Sequence, residues 1–242
     1  MAAETCAPRP LFGGAISTTF PVRFQDVSDI RQVPDHQEVF VDPARDESLI
    51  FELLDLKSEV DDAGSALWFL RDIANEQDAG DIMVVEHSGT LELSGLRFGE
   101  GPVVAGTAVG QLKCTLLRIN KFTVDIEILE NSQLEFTLAK HWLKDAYVAQ
   151  IFAVSKGRQG REAQNIVRLY LANIRLKNAG TDVVITAYEP LLINPLSESA
   201  RAVASGPAVP AQQAGCLPIS EIFKLAVMNF NVHDWNLFNG GQ

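Results

Sequence analysis

Two strand-like stretches separated by a very short connection constrain the fold of this chain more than any other feature. "AQNIVRLYLANIRLK" (163–177) and "TDVVITAYEP" (181–190) are rich in the β-branched and aromatic residues that favour strands. The residues between them, "NAG", suit a tight antiparallel hairpin. The sequence therefore predicts an antiparallel sheet that contains this hairpin.

Other segments extend the predicted sheet and add helices. Residues 11–44 combine a Gly-Gly turn, prolines and short β-rich runs, which predicts loops and short strands, with Gln37 to Val41 as the first substantial strand. Further strand candidates are "DIMVVEH", "TLELSGLRF" and "PVVAGTAVGQL". Apolar periodicity predicts helices over 65–77, capped by Ser65, and within "LPISEIFKLAVMNFNV", with Pro218 near its start. Helices on a mostly antiparallel sheet define an α+β fold.

A third helix is predicted in "LIFELLDLKSEV" (49–60). Leu49, Leu53, Leu56 and Val60 recur at the spacing of one helical face. The acidic residues Glu52, Asp55 and Glu59 recur on a different face, where like charges repel by a few tenths of a kcal/mol. Two interpretations stay open: this face is simply solvated, or it is an acidic docking surface.

Charge narrows the class of partner. The chain has 242 residues, 47% of them hydrophobic, so it can bury a substantial core. Its net charge is -11. The negative charge argues against a nucleic acid or an anionic membrane as the main partner. It favours a basic protein partner.

The sequence offers little for covalent chemistry. Cys6, Cys114 and Cys216 are far apart, which suits a reducing compartment, and the four histidines are isolated. The N-terminus lacks a leader-like composition, and there is no long apolar run, so we expect a soluble cytosolic or nuclear protein. We find no nucleophile elbow, Walker loop or dinucleotide fingerprint, and predict no catalytic, cofactor or metal residues and no enzymatic activity.

Several short motifs resemble one family. "PLFGGAIS", "FQDVSDIRQVPDHQEVF", "DESLIFELLD", "TDVVITAYEP" and "VHDWNLF" occur in the order and character of the Ran guanine-nucleotide release factors, the Mog-type Ran-binding proteins. The resemblance covers roughly residues 10–111 and 153–238. It implies an antiparallel sheet with helices on both faces, a Mog/PsbP-like fold. Photosynthetic lumenal proteins share this fold, but a lumenal protein would require a targeting segment.

The resemblance also implies a function and a site. It implies binding to the small GTPase Ran and release of its nucleotide without covalent catalysis, in nuclear protein import, by a monomer present in nucleus and cytoplasm. The alternative is an acidic adaptor for a basic protein, without exchange activity. Glu52 and Asp55, one helical turn apart, would form the centre of the Ran-binding surface. The remaining predicted contacts are Asp26, Arg31, Asp35, Gln37, Glu38 and Glu59. Asp26 and Asp35 could instead order turns, and Arg31 could pair locally.

One segment departs from the family pattern. In the family, "GTAVGQ" runs almost directly into "AVSKGRQ", whereas here residues 113–152 intervene. This segment is either a long excursion after which the strand resumes at Ala153, or the product of an alternative or erroneous transcript. We expect a single domain over residues 1–242, with 113–152 as an atypical insertion and 197–215 as a flexible loop.

Overall fold

The computed structural model describes residues 4–28, 33–76, 83–98, 101–114, 164–197 and 199–238. The strands are β1 (Cys6–Leu11), β2 (Ile16–Pro21), β3 (Gln25–Asp26), β4 (Gln37–Asp42), β5 (Glu47–Asp55), β6 (Val84–Phe98), β7 (Gly101–Cys114), β8 (Asn165–Leu176), β9 (Thr181–Ile193), β10 (Gly206–Pro207) and β11 (Asn231–Val232). The α-helices are α1 (Ser65–Glu76), α2 (Ser199–Val203) and α3 (Ile219–Met228). Short 3-10 turns occupy Phe12–Gly14, Lys177–Ala179, Ala211–Ala214 and Trp235–Phe238.

The larger of two sheets has the strand order β3-β4-β5-β9-β8-β7-β6, with β10 pairing beside β9, and the pairings are antiparallel. The smaller sheet has the order β1-β2-β11. The predicted central hairpin is confirmed: β8 and β9 pair up to Leu176 opposite Thr181, and Gly180 closes the turn with φ 60, a left-handed conformation that favours glycine.

Both faces of the large sheet are covered, because successive residues of its central strands are buried on opposite sides. On β5, Leu49 and Phe51 join one apolar cluster and Ile50 joins the other. The first cluster packs against α3 and the small sheet, and the second packs against α1. The predicted α+β fold, with helices on both faces of a mostly antiparallel sheet, is confirmed.

Two of the three predicted helices are present. In α3, Pro218 is the N-cap, and Ile219, Ile222 and Ala226 are buried as expected. Helix α1 also forms, but its predicted cap is displaced by one residue. The Gly64 carbonyl accepts the first helical hydrogen bond, from the Trp68 N–H at 2.9 Å, so Gly64 is the N-cap and Ser65 is the first helical residue.

The prediction of a helix over 49–60 is wrong, because residues 47–55 form strand β5. The run from Leu49 to Phe51 is buried on both faces between β4 and β9, so it lacks the alternation of a half-exposed strand. In so short an apolar run, the helical spacing of Leu49 and Leu53 is not diagnostic. The first substantial strand is also β1 rather than β4.

The structure covers the atypical insertion only at its first two residues. Lys113 and Cys114 belong to β7 and pair with Ile166 and Asn165, so the hairpin that begins at Asn165 keeps β7 as its neighbour. The rest of the insertion, and the predicted resumption at Ala153, lie outside the described residues. The segment predicted as a flexible loop contains α2, β10 and a 3-10 turn, and its flexibility stays a prediction.

Candidate partner-binding site

Six of the eight predicted contact residues lie at or near one end of the large sheet, where β4 begins and β5 ends. Gln37 on β4 lies opposite Glu52 on β5, and Asp55 at the end of β5 lies opposite Thr181 on β9. Asp35 precedes β4, and Glu59 follows β5 by four residues. Asp35, Glu52, Asp55 and Glu59 carry carboxylates. We call this group the acidic end of the sheet.

The predicted orientation of the two central carboxylates is wrong. Residues three apart in a strand point to opposite faces, whereas in a helix they share one. Glu52 lies on the face of Ile50 and Leu54, which pack towards α1, and Asp55 lies on the face of Phe51 and Leu53. Glu52 is half-buried and Asp55 is exposed. A partner that contacts both must therefore meet the end of the sheet rather than one of its faces.

Gln37 and Glu38 contribute less surface than predicted. Gln37 is only 5% exposed, and its backbone N–H donates to the Pro34 carbonyl at 2.9 Å, so the residue closes the turn before β4. The Glu38 carboxylate accepts a hydrogen bond from the Phe12 N–H at 2.6 Å. This contact supports Phe12, whose φ of 50 is unusual for a bulky residue.

The remaining predicted contact residues differ in their exposure and in their hydrogen bonds. Asp26 is exposed on the edge strand β3, and its Oδ1 accepts a hydrogen bond from the Ser28 N–H at 2.9 Å. This is the turn-ordering role that the sequence left open for it. Asp35 and Glu59 are exposed. Arg31 lies outside the described residues.

Sequence reasoning missed the ion pair that holds the loop after β5. Arg175 on β8 and Asp182 on β9 are cross-strand partners, and Nε of Arg175 donates to Oδ1 of Asp182 at 3.0 Å. The Asp182 side chain is fully buried, and its Oδ2 accepts a hydrogen bond from the Lys57 N–H at 2.8 Å. A signal for this pair was available, because the "NAG" turn sets a hairpin register in which 175 faces 182.

A second, exposed ion pair closes the same loop. The Lys177 ammonium lies 2.6 Å from Oδ2 of Asp62, and Nη1 of Arg175 lies 3.0 Å from Oδ1 of the same carboxylate. The hydrogen bond from Lys177, with smaller contributions from the charges of Lys177 and Arg175, lowers the pKa of Asp62 below its usual value of 3.8. Asp62 is thus engaged within the chain, although its side chain is 61% exposed.

Two further observations bear on the class of site. Among the residues that the structure describes, no three His, Cys, Asp or Glu side chains are grouped so that they could hold a metal ion. Over the same ranges, none of the helices combines the length and the apolar character that a membrane span needs.

Comparison with known proteins identifies the family. A model described as "Ran-interacting Mog1 protein" matches residues 9–190, a range that includes β4, β5 and the β8–β9 hairpin up to Pro190. The chain therefore belongs to the Ran-interacting Mog1 protein family, which confirms the resemblance seen in the sequence motifs.

Relatives and a solved structure agree with this assignment. The chain is 34% identical over 192 residues to the Ran guanine nucleotide release factor of Danio rerio, a match covering 79% of this chain and 82% of the relative. It is 29% identical to the nuclear import protein MOG1 of Saccharomyces cerevisiae, over 94% of this chain and 83% of the relative. The crystal structure of the Saccharomyces cerevisiae Ran-binding protein Mog1p aligns with a TM-score of 0.53 and 19% identity, covering 98% of this chain and 100% of that one, which supports the fold.

Proposed function

We propose that this chain binds the small GTPase Ran and promotes release of its guanine nucleotide, in support of nuclear protein import. Family membership over residues 9–190 is the observation that carries the proposal. The relatives are named for nucleotide release and nuclear import, and we extend both activities to this chain. The proposal includes action as a monomer in the nucleus and cytoplasm, with neither nucleic acid nor membrane as a partner.

The acidic end of the sheet is the proposed contact surface. Asp35, Asp55 and Glu59 are exposed there, and Glu52 is half-buried beside them. These carboxylates suit the basic side chains of a partner, and the net charge of -11 would speed the encounter at low ionic strength. Because Glu52 and Asp55 point to opposite faces, we place the partner across the end of the sheet, in contact with the ends of β4 and β5.

Release requires no bond to be made or broken by this chain. A release factor binds the empty GTPase more tightly than the loaded one, and linkage then requires the factor to weaken nucleotide binding by the same ratio. Carboxylates can serve this purpose in two ways: by competing with phosphate oxygens for basic groups of the GTPase, or by perturbing the site of its Mg²⁺.

Charge reversal at the acidic end tests the proposal. The double variant Glu52→Lys/Asp55→Lys should remain folded by circular dichroism but lose most of the acceleration of fluorescent-nucleotide release from Ran. The matched control is Glu92→Lys/Glu221→Lys, which makes the same change in net charge at two exposed residues on β6 and α3. We expect the control to lose only the long-range part of the rate enhancement, which salt also removes.

The outcomes separate the possible explanations. Normal release by a folded Glu52→Lys/Asp55→Lys variant would show that the acidic end is not the contact surface. Equal losses in the two double variants would show that net charge, rather than this site, drives the encounter. Ran binding without any release by the wild-type chain would favour the adaptor function.

A further inference from the structure

The loop that follows β5 has an exposed surface and a buried anchor. Ser58, Glu59 and Asp61 are exposed. The backbone beneath them is tied to the β8–β9 hairpin, which lies far away in the sequence. At the start of the loop, the Leu56 N–H donates to the Gly180 carbonyl at 2.9 Å, and the Lys57 N–H donates to Asp182 at 2.8 Å.

The guanidinium of Arg175 makes the remaining ties. Nη2 donates to the Lys57 carbonyl at 2.6 Å, and Nη1 donates to the Val60 carbonyl at 2.6 Å. Nε is used by the pair with Asp182. The Arg175 side chain is 7% exposed, so these contacts are largely shielded from water. A flat fork of donors that reaches two carbonyls and a carboxylate at once is specific to arginine, because a lysine offers a single ammonium.

Burial of this ion pair needs an explanation. Removing both charges from water costs free energy, and a well-packed apolar pair of similar size would join two strands of a hairpin at least as well. Both charged groups, however, also form hydrogen bonds with the backbone of the loop. Asp182 accepts one from the Lys57 N–H, and Arg175 donates to the carbonyls of Lys57 and Val60. The pair therefore fixes a loop conformation, which apolar side chains could not do.

We propose that Arg175 is a positioning residue for partner binding: supported by Asp182, it holds the loop from Lys57 to Asp62 in the conformation that presents Glu59 at the acidic end of the sheet. This inference rests on the proposed function, since it assigns the loop to the same Ran-binding surface. A loop that is ordered before binding costs less conformational entropy in the complex, so the pair raises affinity without touching the partner.

The test is Arg175→Lys, which keeps the charge and removes the fork. We expect its affinity for Ran to fall by about tenfold, and hydrogen exchange of the Lys57 amide to accelerate while core amides of β8 and β9 remain protected. The matched control is Arg168→Lys on the same strand, because Arg168 pairs with Glu86 and Glu189 towards the other end of the sheet. We expect the control to bind Ran normally.

A double-mutant cycle separates positioning from general stability. In the Glu59→Ala background, Arg175→Lys should cost markedly less affinity than in the wild type, because both changes act through one loop. Additive losses would overturn the proposal, as would normal Ran binding by a folded Arg175→Lys variant. If that variant is unfolded, the double variant Arg175→Gln/Asp182→Asn, which removes both buried charges together, replaces it.

One measurement needs no variant. If the Lys57 amide of the wild-type chain exchanges as fast as in an unstructured peptide, the anchor does not exist and the proposal is wrong. If the wild-type chain does not bind Ran at all, the proposed function fails first. The two failures are therefore distinguishable.

Discussion

Arg23 holds together a buried ion cluster at the end of the sheet opposite the candidate site. Its Nε lies 2.6 Å from Glu4, and its Nη1 contacts both Asp42 and Glu47, the latter at 2.9 Å. The carboxylates of Asp42 and Glu47 are each only 5% exposed. Burial raises the pKa of Glu47, although Arg23 and Arg45 oppose this, so the carboxylate depends on its arginines to stay ionised.

Arg23→Met removes the cation that these carboxylates share. Among the contacts between described residues, Glu47 keeps an ion pair with Arg45, whereas Glu4 and Asp42 lose their paired cation. Breaking a buried pair by removing one partner costs about 3 to 5 kcal/mol. For a chain of this size each kcal/mol lowers the melting temperature by about 2 to 4 °C, so we expect a decrease of about 6 to 20 °C at pH 7. Urea unfolding followed by circular dichroism measures the free energy directly.

The pH dependence provides an internal check. A folded carboxyl whose pKa is raised holds its proton more tightly than in the unfolded chain, so its protonation favours folding as the pH falls through the folded pKa. Arg23 lowers the pKa of Glu47, so its removal raises that pKa further, and the destabilisation of Arg23→Met should shrink as the pH is lowered from 7 towards the ordinary glutamate value of 4.5. The control Arg168→Met, whose partners are more exposed, should cost no more than about 1 kcal/mol. A loss below about 1 kcal/mol for Arg23→Met at pH 7 would refute this reasoning.

Two other predictions concern packing and titration. Gly110→Ala would place a Cβ 3.2 Å from both the Leu70 side chain and the Val84 carbonyl, so we expect a loss of about 1 to 3 kcal/mol in urea unfolding; unchanged stability would show that the contact between α1 and the sheet is looser. Lys177→Ala should raise the pKa of Asp62 towards 3.8 in a carboxyl-carbon NMR titration. Because the pKa of Asp62 is lowered in the folded wild type, its ion pair stabilises the fold above pH 3.8, and this contribution is lost as the pH falls through the lowered pKa. An unchanged titration would contradict the contact.

Local signals were sufficient for the elements whose patterns have a single interpretation. The β8–β9 hairpin follows from two strand-like runs and a turn ending in glycine, and α3 follows from its apolar periodicity and Pro218. The α+β class follows from these elements together.

The error at 49–60 has a physical cause. A strand covered on both faces consists of consecutive apolar residues, so it loses the period of two and acquires helical spacings by chance. Only the tertiary neighbours β4 and β9 distinguish the two structures. The same error placed Glu52 and Asp55 on one face, whereas strand β5 places them on opposite faces.

The most direct test of the central claim is the affinity of the wild-type chain for nucleotide-free Ran and for nucleotide-loaded Ran, measured by titration calorimetry at one salt concentration. We expect clearly tighter binding to the nucleotide-free form, by the same factor by which this chain weakens nucleotide binding to Ran. Equal affinities for the two forms would contradict release activity, and absence of binding to either form would contradict the assignment of Ran as the partner.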